Sequence, residues 1–202
     1  MEQHVSIGQW LLRLTVAALL GMSLAACDSE RSSEPQQPVA AISPTTMADA
    51  LFSIAAAYRN VYANEVVYRL QDVEDVIKAS EQWHDEKALP LPAQIFRMGA
   101  VLAAKQTDAF SYTLLSKWPL NKDSGPKSEV ERKGLDRVIE NPTKPFYSNE
   151  TVGEVEYFTA VYADIAVSPS CVSCHNSHPE SPRTDFKQGD VMGGVVIRIP
   201  MR

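Results

Sequence analysis

The stretch "EVEYFTAVYADI", residues 154–165, gives the strongest indication of the fold. Branched, small and aromatic side chains occupy every second position from Val155 to Ile165, a two-residue period typical of a β-strand. Further strands are predicted at "FSYTLLSKW", residues 110–118, and at "VMGGVVIRIP", residues 191–200, because both are rich in branched or aromatic residues. We expect these strands to form an antiparallel sheet.

Three segments with a helical period accompany the strands. Over residues 47–76, apolar side chains recur at steps of three and four, which predicts one long or two consecutive amphipathic helices. A second helix is predicted at residues 93–105, and a third is opened by Ser124 and Pro126 and ended by Asn141. Strands joined by helices and hairpins predict an α+β fold, with N-terminal amphipathic helices packed on an antiparallel sheet.

The segment "SPSCVSCHNSHPESP", residues 168–182, lies between the last two predicted strands. In it, Cys171, Cys174 and His175 form C-x-x-C-H, the attachment signature of a c-type haem. On a short helix, residues three apart share a face, so both thiols can add to the vinyl groups at one porphyrin edge while the adjacent imidazole turns toward the iron. Ser168, followed by a proline, is the predicted N-cap of this helix. The motif predicts one covalently bound haem c.

Other interpretations of the motif stay open at this stage. The two cysteines would also suit a disulfide, although the βαβ unit of a thioredoxin-type site is not visible in the sequence. Cys171, Cys174, His175 and His178 would together offer four ligands to a structural zinc, although zinc sites usually separate their ligand pairs by a longer loop. A chance match of solvated side chains is the third alternative.

The N-terminal sequence indicates export. Residues 11–26, "LLRLTVAALLGMSLAA", form an apolar run that is too short to span a bilayer and ends in small residues, as cleaved signal peptides do. The following Cys27 completes "LAAC", which resembles the lipobox of bacterial lipoproteins, whose cysteine is acylated and becomes the new N-terminus. We therefore expect a lipid anchor at Cys27, on the periplasmic side of a bacterial membrane. Asp28, by resemblance to enteric lipoproteins, favours the inner membrane.

Composition divides the chain into three parts. Residues 1–26 are the predicted signal peptide, residues 27–46 are a disordered tether rich in Ser, Pro and Gln, and residues 47–202 suffice for one domain with one core. The net charge of −6, without any basic block, gives no electrostatic footprint for nucleic acid. No second apolar run is long enough for a membrane helix, so attachment is expected to depend on the acyl chains.

The sequence resembles the Tll0287-like family of haem-binding domains. The resemblance is carried by "LPLPAQIFRMGA" (89–100), "YTLLSKWPLNKDSGPKSEVERKGLDRVIE" (112–140) and "CVSCHNSHPESPRTDFKQGDVMGGVVIRIP" (171–200). It implies a PAS-like fold carrying one c-type haem, in which Cys171 and Cys174 form the thioethers and His175 is the proximal iron ligand.

The distal iron ligand is not fixed by the resemblance. Some relatives use a cysteine thiolate there, but Cys27 is expected to be acylated and the other two cysteines to hold the haem edge. The candidates are His84, Met98, His178 and Met192, together with an open or water-bound site, and the choice determines whether the iron transfers electrons or binds a small molecule.

Two classes of function follow. The first is one-electron transfer, or redox or small-ligand sensing, through a periplasmic partner protein. The second is a haem enzyme such as a peroxidase or reductase, which would need a distal acid or base. Arg97 and His84 are the available side chains, but Arg97 is expected to be a solvated helix residue. We therefore expect that the protein is not an enzyme.

Overall fold

The computed structural model describes residues 41–201, which contain four α-helices. The predicted signal peptide, Cys27 and most of the predicted tether lie outside these residues. The first helix begins three residues before the predicted start of the domain and is capped by Ser43, whose hydroxyl accepts a hydrogen bond from the backbone N–H of Thr46. The helices are α1, Pro44–Val61; α2, Pro92–Gln106; α3, Glu129–Glu140; and α4, Pro169–Ser177.

A π-helix, Tyr62–Val73, continues directly from α1. The two segments together span residues 44–73, whereas one long or two consecutive helices were predicted over residues 47–76. The π-helix ends in a hydrogen bond from the backbone N–H of Glu74 to the carbonyl of Arg69, five residues back. Such segments are rare and occur frequently at functional sites.

The strands are β1, Ala79–Ser80; β2, Leu89–Pro90; β3, Ser111–Leu115; β4, Phe146–Val152; β5, Val155–Ile165; and β6, Val191–Pro200. The main sheet has four antiparallel strands in the order β3-β6-β5-β4, and a separate two-stranded parallel pair joins β1 and β2. The predicted α+β class and antiparallel sheet are therefore confirmed. The strand predicted at residues 110–118 is shorter than expected, and β4 was not predicted, because its sequence "FYSNETV" is mostly polar.

Both faces of this sheet are covered by helices. On one face, Tyr162 of β5 and Ile197 of β6 pack into a core shared with α1 and α2. On the other face, Val161 and Val196 pack against Leu135 of α3. Because successive side chains of a strand point to opposite faces, the central strands β5 and β6 bury side chains of both parities. This explains why β6 reads as a nearly continuous apolar run.

Helix α3 begins later than predicted. Its N-cap is Ser128 rather than Ser124, which instead ends a short 3₁₀ turn, Lys122–Ser124. The Ser128 hydroxyl accepts a hydrogen bond from the backbone N–H of Glu131, and the Glu131 carboxylate accepts one from the backbone N–H of Ser128 at 2.9 Å. This reciprocal pair is a capping box, which satisfies two backbone N–H groups at the start of the helix.

Candidate functional site

Helix α4 presents the C-x-x-C-H motif to a large cavity. Ser168 is at the N-cap position as predicted, but its side chain makes no capping hydrogen bond; its carbonyl accepts one from the backbone N–H of Cys171 at 3.0 Å. Cys171, Cys174 and His175 all line the cavity, and both thiols are free. The three side chains of the predicted motif therefore reach the same cavity.

The cavity has a volume of about 620 Å³, within the range of sites that bury small molecules and cofactors. Its wall also includes Ala63, Val67 and Gln71 from successive turns of the π-helix. The beginning of α2 and the loop after β3 complete it. Small and branched side chains on the π-helix leave this space open.

The loop between α4 and β6 holds helix α4 in place through the side chain of Asn176. The Asn176 side chain donates a hydrogen bond to the carbonyl of Phe186 at 2.9 Å and accepts one from the backbone N–H of Phe186 at 3.0 Å. The Phe186 ring packs edge-on against His175, with ring centroids 5.9 Å apart, and the Arg183 guanidinium lies 4.2 Å from the centre of the same ring. The imidazole is therefore oriented by packing rather than by a hydrogen bond.

The imidazole of His175 has the properties of a metal ligand. Its Nδ1 is buried and has no hydrogen-bond partner. Burial lowers the pKa of His175, and the charge of Arg59 and the neighbouring His178 lower it further. The ring is therefore held neutral, which is the form that binds metals. A buried nitrogen without a partner, together with two thiols on one cavity wall, fits the group that the motif predicts.

Both thiols are held in the protonated form. Burial raises the pKa of Cys171, against the opposing influence of Arg59. Burial also raises the pKa of Cys174, with further contributions from Glu81 and from Cys171. These are half-buried neutral thiols rather than the reactive thiolates that a catalytic cysteine provides.

A buried ion pair lies beside the motif. The Arg59 guanidinium of α1 donates a hydrogen bond to the carboxylate of Asp164 near the end of β5, and both side chains line the cavity. Burial raises the pKa of Asp164, whereas Arg59 acts to lower it. The Ser168 hydroxyl and the Nε of Arg59 are also buried without partners. This polar wall was not predicted, because only the fold brings the two elements together.

The structure separates the candidates for the distal ligand into two groups. His178 and Met192 line the cavity, whereas His84 and Met98 do not. The His84 ring stacks on Trp83, with centroids 3.5 Å apart, and Met98 is 37% exposed on α2. Met192 is buried in a small core that includes Phe186.

Arg97 was predicted to be a solvated side chain, but this prediction is wrong. It is half-buried, lines the cavity, and its Nη2 donates a hydrogen bond to Ser124 Oγ at 2.6 Å. The helical period gave no signal for this, because Arg97 follows the buried Phe96 on the same turn. Among residues 41–201, no three His, Cys, Asp or Glu side chains converge as ligands for a metal ion.

These features define the protein as a small α+β domain with a thiol- and imidazole-lined cavity between its helices and its sheet. The chain belongs to the Tll0287-like family, whose model matches residues 34–200. The fold is similar to that in the crystal structure of the cyanobacterial heme-protein Tll0287, with 13% identity and a TM-score of 0.52, covering 80% of this chain and 98% of the other. No curated protein shows significant similarity to the chain.

Proposed function

We propose that this chain is a c-type haem protein, in which Cys171 and Cys174 form the two thioethers and His175 ligates the iron. The observation that carries the proposal is the convergence of these three side chains from one short helix onto the same large cavity. The family relationship and the name of the similar solved protein, a heme-protein, support it.

Each residue of the motif has a physical role in this proposal. The spacing of the two cysteines places both thiols on one face of α4, toward one edge of the bound group. The neutral His175 supplies a nitrogen lone pair, and Phe186 restrains the rotation of its ring. A haem supplies an iron that changes its charge by one electron and can take a small molecule as its sixth ligand.

We further propose that the domain is PAS-like and acts in one-electron transfer, or in redox or small-ligand sensing, through a periplasmic partner rather than as an enzyme. The proposed location is the periplasmic face of the inner membrane, with acyl chains on Cys27. Among residues 41–201, none of the helices has both the length and the hydropathy that a membrane span requires. The lipobox-like sequence supports the anchor.

Expression with the c-type haem attachment machinery tests the proposal. A pyridine haemochrome assay on the purified protein is expected to count one covalent haem per chain. Cys171→Ser and Cys174→Ser should each remove one thioether and change the haemochrome band. Ser177→Ala, on the same helix but not among the cavity-lining residues, is the matched control and should leave the haem content unchanged. A chain without covalent haem, with the cysteines in a disulfide or holding zinc, would refute the proposal.

The optical spectrum separates the two roles of the haem. Low-spin bands that do not change when carbon monoxide is added would indicate two protein ligands to the iron and a role in electron transfer. High-spin bands that shift with carbon monoxide would indicate an open distal position, which suits sensing or catalysis. His178→Ala and Met192→Leu then identify the ligand, because only the variant that loses a ligand should convert a low-spin spectrum.

A further inference from the structure

Arg97 carries a positive charge on the cavity wall that no described residue neutralises by contact. Its guanidinium lines the cavity and donates to the hydroxyl of Ser124, a residue that is only 8% exposed. This hydroxyl is neutral, and among residues 41–201 no carboxylate lies within ion-pair distance of Arg97. The remaining N–H groups of the guanidinium are therefore free to bind an acceptor.

Arg59, the second arginine that lines the cavity, differs from Arg97 because it has a carboxylate partner. Arg59 is paired with Asp164, so its charge is balanced within the wall. A guanidinium that is already paired has little to gain from an anion in the cavity, whereas an unpaired one regains the interactions that it lost with water. Arg97 is therefore the group to which an anionic part of the occupant would be drawn.

Two features of the surroundings reinforce this preference. Burial lowers the pKa of Arg97, and Glu81 offsets part of that effect from beyond ion-pair distance; the guanidinium stays charged but is partly stripped of water. The first turn of α2 also lines the cavity with Leu91, Pro92 and Ala93. A helix N-terminus has a positive partial charge, which favours a negative group nearby.

We propose that Arg97, held in place by Ser124, binds a carboxylate of the group that occupies the cavity. For the haem of the proposed function, on which this inference rests, that carboxylate is a propionate. A planar guanidinium presents two parallel N–H groups to a carboxylate, a geometry that lysine lacks. Arg97 is thus a positioning residue, which orients the porphyrin relative to His175.

Porphyrin binding without the covalent links tests this role. The full chain carrying Cys171→Ala and Cys174→Ala is titrated with hemin and with hemin dimethyl ester in the same mild detergent, and the Soret band reports binding. Because a hydrogen bond between charged groups contributes roughly a 10- to 100-fold gain in affinity, hemin should bind more tightly than the diester by about that factor.

The variants of Arg97 identify the source of this difference. Arg97→Gln should weaken hemin binding by the same factor and leave the affinity for the diester unchanged, so that the two porphyrins become equivalent. Arg97→Lys should retain part of the preference for hemin. Arg137→Gln, on the outer surface of α3, is the control and should change neither affinity. Equal losses for both porphyrins, or no loss, would overturn the assignment.

A second measurement is the midpoint potential of the holoprotein with covalently attached haem. This quantity does not depend on the affinity for haem. Loss of a positive charge beside the cofactor favours the ferric state, so the midpoint potential of Arg97→Gln should fall below that of the wild-type protein and of Arg137→Gln. An unchanged potential would overturn the role of Arg97 while leaving the haem in place. Absence of covalent haem in the pyridine haemochrome assay would instead overturn the proposed function itself.

Discussion

The carboxylate of Glu131 is predicted to be a major determinant of the stability of the fold. It is 4% exposed, bonds Nη2 of Arg198 at 2.7 Å, and accepts hydrogen bonds from the backbone N–H groups of Lys127 and Ser128. Arg198 also bonds Glu150, so that α3, β6 and β4 meet in one network. Removal of one partner from a buried ion pair costs about 3–5 kcal/mol.

Glu131→Ala should therefore lower the free energy of unfolding by about 3–5 kcal/mol. In a domain of this size, each kcal/mol shifts Tm by about 2–4 °C, which gives a fall of about 6–20 °C. Thermal unfolding followed by circular dichroism, together with urea unfolding, measures both quantities. Glu129→Ala is the matched control from the same first turn of α3. Glu129 is exposed and pairs only with Lys133, so this change should have little effect.

The dependence on pH gives the same reasoning an independent test. Burial acts to raise the pKa of Glu131, but the hydrogen bonds from Arg198 and from two backbone N–H groups outweigh it and lower the pKa. The lowered pKa contributes stability above the unfolded pKa of about 4.3, and this contribution is lost as pH falls through the folded value. Glu131→Gln should therefore have a shallower loss of stability in acid. Equal Tm shifts for Glu131→Ala and Glu129→Ala would refute the argument.

Two further predictions concern the core and the anchor. Gly134→Ala should destabilise the fold by about 1–3 kcal/mol, because its new methyl group would overlap Val161 on the facing strand; Gly125→Ala, whose nearest neighbour would be 3.7 Å away, should have little effect in the same urea titration, and equal shifts would contradict the packing argument. Cys27→Ser should move the protein from the membrane fraction to the soluble periplasmic fraction, and retention in the membrane fraction would refute the lipid anchor.

The features predictable from the sequence are those that depend on local spacing. The two-residue period of β5 and the i, i+3 spacing of Cys171 and Cys174 are encoded within a few residues, and the structure has a strand and a short helix there. Strand β4 was not predicted because its alternation of apolar and polar residues is weak. It lies at the edge of the sheet, where one row of its side chains is exposed to water. The N-cap of α3 was misplaced because two serines, Ser124 and Ser128, precede the helix at short spacing.

Two features of the cavity wall could not be predicted from the periodicity of the sequence. Apolar residues at steps of three and four predict an α-helix, so the wider turns of the π-helix, which place Ala63, Val67 and Gln71 along the cavity, were not predicted. The charge state of an arginine depends on its spatial neighbours rather than on its place in a helical pattern. Arg59 meets a carboxylate 105 residues away, whereas Arg97 meets only a hydroxyl. The sequence therefore predicts a covalently attached haem from local spacing, but only the fold shows which arginine of the cavity has a carboxylate partner.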